Sequence, residues 1–283
     1  MKIIIRNCNV AELDIPLKYA TKLYNEFAIR HPNAFYLRTR QRGMQNWDGK
    51  IKYITKTGQF KIGLLPSVYK RCIELGIKPI IVDMRQPLPK VSKVVTQIGK
   101  YKLRPEQEKA VKAILSNKLG ETPFQIGVLD YTVNAGKTLI MSALYLSYKK
   151  QLKTLLITND SDWLNQARDE FKQYLPGEDI TFVQGKVLNW SNFTIGMVQS
   201  ISRNMRYYQN ELAKIDMVLI DEADQGGSKQ YQNVITRLFN TRVRIGLSGT
   251  IYMSKLAKDK VKNMNLRCFF GDVIEEFKIK ESI

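Results

Sequence analysis

From residue 125 onward the chain alternates short, almost wholly apolar runs with longer segments of helical periodicity. The runs at 125–130, 154–158, 180–183, 193–198, 217–220 and 243–247 read as strands. Helices fill 137–148, 162–174, 201–212 and 231–238. Continuous apolar strands separated by helices require a parallel sheet covered on both faces. Ligands in such sheets gather at the carboxyl ends of the strands. Two polar clusters stand at such ends: Gly136-Lys137-Thr138 and, 84 residues after Lys137, Asp221-Glu222-Ala223-Asp224.

The first cluster, residues 131–138, follows a strand and opens a helix, which is the setting a phosphate loop needs. Gly136 lets the backbone approach a phosphate, with Asn134 and Ala135 supplying N–H groups beside a helix N-terminus. Lys137 would reach the outer phosphates of ATP, and the Thr138 hydroxyl would bind Mg²⁺. The pattern is incomplete, because Tyr131 occupies the place of the usual first glycine. In the second cluster, Asp221 would hold the metal and Glu222 would orient or deprotonate the attacking water. Lys137, Asp221 and Glu222 are therefore the catalytic candidates. Ser248, Gly249 and Thr250 end the next strand and could couple Asp224 to movement elsewhere. Upstream, Gln107 lies at the start of a helix. It either reads an adenine edge, with Tyr101 or Arg104 over the ring, or is an ordinary exposed helix-start residue.

The 283 residues suffice for one large or two modest domains with real cores. Residues 85–100, with Pro87 and Pro89, look like a connector. It separates a small α+β domain (1–84) from a RecA-like domain (101–283). In the first we expect a strand at 3–5, a helix from Pro16 to about 29, extended chain at 35–37, a hairpin of 51–54 with 60–65, a helix at 68–75 and a strand at 77–82. Cys8, Cys72 and Cys268 are too scattered for a metal site or a disulfide framework, which points to reduced thiols in a cytoplasmic compartment. His31 is the single histidine, which argues against a histidine-rich zinc site or a catalytic triad. No apolar run approaches the roughly 20 residues of a membrane span.

Net charge is +19, and residues 1–100 hold 19 Lys and Arg against 6 Asp and Glu. That excess favours a phosphate-rich partner. Arg38, Arg40, Arg42, Lys50, Lys52, Lys56 and Lys61 interleave with Phe35, Tyr36, Trp47, Tyr53 and Phe60. Such a surface suits nucleic acid, with cations on the backbone and rings on bases, Trp47 among them. The alternative is a core of aromatics under a solvated face of lysines.

In their order, these segments resemble the motifs of superfamily 2 helicases. Residues 103–107 resemble the glutamine motif, 134–138 motif I, 221–224 motif II and 248–250 motif III. Residues 158–166 and 194–199 stand where that family contacts the nucleic-acid strand. The resemblance implies contacts from Thr158, Asn159, Gln166 and Gln199. The run from Gln45 to Ile51, containing Asn46-Trp47-Asp48-Gly49, is similar to that of phage UvsW-like DNA helicases. Such a family implies ATP-driven remodelling of branched DNA in recombination, repair and replication. A second RecA-like domain would carry arginine fingers in a Gln-x-x-Gly-Arg-x-x-Arg motif, which this sequence lacks. The chain therefore reads as the N-terminal part of such a motor, binding ATP, Mg²⁺ and DNA with poor turnover by itself. An ATP-independent nucleic-acid-binding module, an RNA helicase and a restriction-type translocase are the competing readings.

Overall fold

A computed structural model describes residues 1–278 except 133, 186 and 253–256. The N-terminal part is built on strands β1 (Lys2–Ile5) and β2 (Val10–Asp14), an antiparallel pair. Helix α1 (Leu17–Glu26) follows Pro16, whose fixed φ suits a helix start. Next come β3 (Ala28–Arg30), α2 (Ala34–Arg40), β4 (Lys50–Lys52), β5 (Gln59–Lys61), α3 (Leu65–Glu74) and β6 (Ile80–Asp83). The first sheet runs β5-β2-β1-β6, with β6 parallel to β1.

Two expectations fail here. Residues 35–37 are helical, not extended. The 51–54 and 60–65 segments touch only through an Ile54–Phe60 bridge, because β4 pairs with β3 and β5 with β2. Ile54 and Phe60 stay bridged and are buried together; beyond them the segments diverge, because β3 offers β4 a full ladder and β2 offers one to β5.

After irregular chain, β7 (Gln97–Ile98) pairs with β8 (Tyr101–Lys102) ahead of helix α4 (Pro105–Ser116). A second ribbon, β9 (Lys118–Leu119) with β10 (Thr122–Pro123), leads into the large sheet. Its elements are β11 (Ile126–Tyr131), α5 (Lys137–Ser147), β12 (Thr154–Thr158), α6 (Ser161–Tyr174), β13 (Ile180–Gln184) and β14 (Val187–Leu188). They continue with β15 (Phe193–Met197), α7 (Val198–Arg203), α8 (Met205–Ala213), β16 (Met217–Asp221), α9 (Lys229–Ile235), β17 (Val243–Ser248), α10 (Ala257–Phe270) and β18 (Val273–Phe277). The order is β14-β13-β15-β12-β16-β17-β11-β18. Seven strands are parallel, and β14 runs antiparallel at one edge. This is a RecA-like sheet with helices on both faces.

The helix expected at 201–212 is two helices that meet at Asn204. Among the described residues, α10 and β18 went unanticipated. One face of the large sheet packs on α4, α5 and α6. On the other, Ile3, Phe60, Ile62 and Leu64 share a core with Val128, Cys268 and Phe270. The two sheets are thereby joined through α10. Gly63 lies so close to it that a Cβ would meet the Arg267 carbonyl oxygen at 2.1 Å. Fully buried Arg244 clamps the junction, donating to the Cys8 carbonyl at 2.8 Å, Asn9 Oδ1 at 2.9 Å and the Phe269 carbonyl at 3.1 Å.

Candidate nucleotide site

The carboxyl ends of β11, β16 and β17 meet on one rim of the sheet, and the loop from β11 to α5 crosses it. Asn134 and Gly136 both adopt left-handed backbone, at φ 63° and 73°. Gly136 caps α5, so Lys137 and Thr138 open the helix with its N-terminal dipole facing the rim. The loop is braced from below. Gln107 is buried, its Oε1 accepts from the Arg104 N–H at 2.9 Å, and its Nε2 donates to the Ala135 carbonyl at 2.9 Å. A Cβ on residue 136 would sit 2.2 Å from that Nε2, which gives a second reason for glycine there. Arg104 Nη2 donates to the Asn134 carbonyl at 3.5 Å.

Both functions of the Gln107 amide are thus used within the protein. The exposed reading does not describe it; in this structure Gln107 is a strut under the loop. Tyr101 is also engaged elsewhere: its hydroxyl donates to Gln173 at 3.2 Å and its ring meets Tyr174 edge-on. Tyr131, which replaces the usual first glycine, is the last residue of β11. It is fully buried and its hydroxyl donates to the Glu106 carbonyl at 2.8 Å. The strand therefore runs one residue into the expected loop.

Asp221 ends β16 and is buried. Burial pushes its carboxyl up to about 6, while Lys137 nearby pulls it down and Glu222 and Asp224 push it up. Such a carboxylate lacks a cationic partner of sufficient strength, and a divalent ion would supply one. Among the described residues no group of three or more His, Cys, Asp or Glu could hold a metal by itself. One carboxylate and one hydroxyl, from Asp221 and Thr138, instead suit Mg²⁺ carried in on phosphates. Glu222 stands at φ 52°, a strained conformation for a non-glycine residue, and is exposed. Asp224 Oδ1 accepts from Ser248 Oγ at 2.9 Å, and the Thr250 N–H donates to the same Ser248 oxygen at 3.2 Å. Gly249 packs against the loop, where a Cβ would meet Thr132 Cα and the Tyr131 carbonyl at 3.2 Å.

At the neighbouring strand ends, Thr158 is fully buried and its hydroxyl accepts from the Asp160 N–H at 3.1 Å. It cannot reach a nucleic-acid strand, which corrects that expectation. Asp160 caps α6, accepting from the Asp162 and Trp163 N–H groups. Gln166 is exposed on α6 and donates to Glu170. Gln199 Nε2 donates to the Asn159 carbonyl at 3.4 Å. In the N-terminal part, Phe35, Tyr36, Arg38, Arg40, Arg42, Lys50 and Lys56 are exposed. Lys52 pairs with Asp48 at 3.1 Å and lies over the Tyr24 ring, so it is drawn away from that surface. Phe60 is core, and Tyr53 bonds Asn265, so neither ring can stack on a base. Trp47 is half-buried, set edge-on to His31, and donates to the Lys50 carbonyl.

Two site residues were invisible in the sequence. Gln225 binds Glu222, its Nε2 donating to Oε2 at 3.0 Å. Lys278 ties Asp130 to the Gly249 carbonyl. The only local signal was adjacency of Gln225 to the acidic tetrad; Lys278 arrives through the return of β18 beside β11.

A RecA-like sheet with a lysine-bearing loop and an acidic tetrad on one rim is the layout of a nucleotide-driven motor. The family described as type III restriction enzyme, res subunit, matches residues 100–253. The chain belongs to that family, within superfamily 2 of the helicase-type ATPases. The ATP-dependent DNA helicase UvsW of Enterobacteria phage T4 is 24% identical over 251 residues, spanning 81% of this chain and 47% of that protein. A protein of Acanthamoeba polyphaga mimivirus, named as an ATP-dependent RNA helicase, is 26% identical over 147 residues, covering 52% and 27%. The chain therefore spans less than half the length of these two relatives. The crystal structure of the bacteriophage T4 UvsW helicase superposes with a TM-score of 0.74 at 20% identity, covering 97% of this chain and 100% of that one. That likeness concerns the fold. No helix among the described residues is long and apolar enough to cross a membrane.

Proposed function

We propose that this chain is the ATP- and DNA-binding N-terminal part of a helicase that remodels branched DNA in recombination, repair and replication. The observation that carries the reading is the buried Asp221 carboxylate, its charge opposed by burial, on the rim shared with Lys137 and Thr138. Lys137 would neutralise the outer phosphates, and the loop N–H groups and the α5 dipole would hold them. Asp221 and Thr138 would hold Mg²⁺, which when bound supplies charge neutralisation at the transferring phosphoryl group. Glu222 orients the attacking water and takes its proton. Asp224, Ser248 and Thr250 carry changes at this rim along the sheet. The exposed cations of α2 and the loop after it, with Lys50, form the DNA-facing surface of the N-terminal part. Asn159, Gln166 and Gln199 face the strand from the ATPase part.

Turnover depends on a second RecA-like domain with arginine fingers, each worth about 10³–10⁵ in rate. The test is titration with a fluorescent ATP analogue and Mg²⁺, alongside turnover with and without forked DNA. We expect saturable binding that weakens more than about tenfold in Lys137→Ala, with little turnover by this chain alone. Retained affinity in Lys137→Ala would overturn the site. Vigorous turnover abolished by Glu222→Gln would overturn the dependence on a second domain. The mimivirus relative named as an RNA helicase supports a second reading, with RNA as substrate. Tighter binding of single-stranded RNA than of forked DNA would select it.

A further inference from the structure

The end of β18 reaches the nucleotide rim from a strand that carries none of its motif residues. The Phe277 carbonyl accepts from the Thr132 N–H at 3.3 Å, and the Phe277 ring centroid lies 5.7 Å from that of Tyr131. The next residue, Lys278, sets its ammonium between two strands. Its Nζ donates to Oδ1 of the buried Asp130 on β11 and to the Gly249 carbonyl after β17, the latter at 2.9 Å. Asp130 and Ser248 form the last paired position of the β11–β17 ladder. Lys278 therefore ties these strands where their backbone pairing stops.

The turn held in this way stands between the two halves of the site. On one side, Gly249 is seated on the loop that leads to Lys137 and Thr138, where a Cβ would meet Thr132 Cα at 3.2 Å. On the other, Ser248 Oγ donates to Asp224, three residues after Asp221, at 2.9 Å. Mg²⁺ demands near-ideal octahedral geometry, so Thr138 and Asp221 must keep a fixed separation to share one ion. We propose that Lys278 is a positioning residue for the nucleotide site. By bridging Asp130 and the Gly249 carbonyl, it holds the turn against the start of the phosphate loop and so sets Thr138 opposite Asp221. This rests on the reading that the chain binds ATP and Mg²⁺ at this rim. The competing explanation is that Lys278 does no more than neutralise the buried Asp130 carboxylate.

The test is the dissociation constant of a fluorescent, non-hydrolysable ATP analogue, measured in EDTA and in Mg²⁺. The ratio of the two constants reports how well the ion is held, apart from overall stability. In Lys278→Met that ratio should fall by about tenfold, the lower end of the loss when an outer partner of a metal site is removed. Lys278→Arg has donors for both contacts and should keep it. Lys278→Met also leaves the Asp130 carboxylate buried and unpaired, which can unfold the chain. Asp130→Asn combined with Lys278→Met removes that charge, and its melting temperature should return toward that of the unaltered chain. Its ratio should stay low, because the tether to Gly249 is still missing. Recovery of the ratio in the double variant would show that neutralisation is the whole role, and overturns the proposal. A lower melting temperature in Lys278→Met with an unchanged ratio overturns it too. Failure of the unaltered chain to bind the analogue, or to bind it more tightly with Mg²⁺, overturns the functional reading together with it.

Discussion

Asp221 is the residue at which folding stability and the proposed metal-holding role conflict. Burial raises its carboxyl from an ordinary 3.8 to about 6. A raised acid favours the protonated form in the folded chain, so stability is fully present below 3.8 and is lost as pH rises through about 6. Asp221→Asn should therefore melt higher than the unaltered chain at pH 7.5, by on the order of 2 kcal/mol, with little difference at pH 3.5. Equal effects at both pH values would contradict this account. Added Mg²⁺ and nucleotide should raise the melting temperature of the unaltered chain and not of Asp221→Asn, because only the former has the carboxylate. At this scale the sequence was explicit about Lys137, Thr138, Asp221 and Glu222, since each is a residue type that the chemistry demands at a strand end. It left Gln107 open between two readings, because its two amide contacts depend on how the loop after β11 lies over α4.

The strand-then-helix units were legible as elements because apolar period and helix-start chemistry agree locally. Helix α6 shows this in one side chain. Asp160 accepts from the Asp162 and Trp163 N–H groups, which would otherwise be unpaired at the helix start. Replacing it with alanine should lower stability by about 1 kcal/mol in chemical denaturation. No loss, or a loss of nucleotide affinity at unchanged stability, would argue against a capping role. The errors also have element-level causes. Residues 35–37 read as extended because two aromatics in a row suit a strand, yet Phe35 and Tyr36 are exposed on a short helix. The hairpin expected around Thr57-Gly58 keeps only its tip, the Ile54–Phe60 bridge, because each half found its longer ladder with a partner elsewhere, β3 for one and β2 for the other. Propensity cannot weigh such competition.

At the level of the molecule, the two sheets share one apolar core, and Arg244 ties them together with α10. Its partners are neutral, and burial pulls the guanidinium down to about 10. Removing it leaves three buried acceptors unpaired. Arg244→Met should lower stability by roughly 2–4 kcal/mol. The unaltered chain should unfold in one calorimetric transition, since neither sheet buries its inner face alone. Two resolved transitions in the unaltered chain would refute the shared core.

The sequence by itself determined the class of fold, the chain order of its parallel strands up to β17 with most of their helices, and the placing of Lys137, Thr138, Asp221 and Glu222 at strand ends. These rest on periodicity and on residue types close together in the chain, where physics is local. Tertiary structure alone decided that Gln107 braces the loop, that Thr158 is buried, that Lys52, Tyr53 and Phe60 leave the basic surface, and that Gln225 joins Glu222 to Asn159. Each is a contact between elements far apart in sequence, made when several strands compete for one core and buried amides must find partners wherever packing brings them.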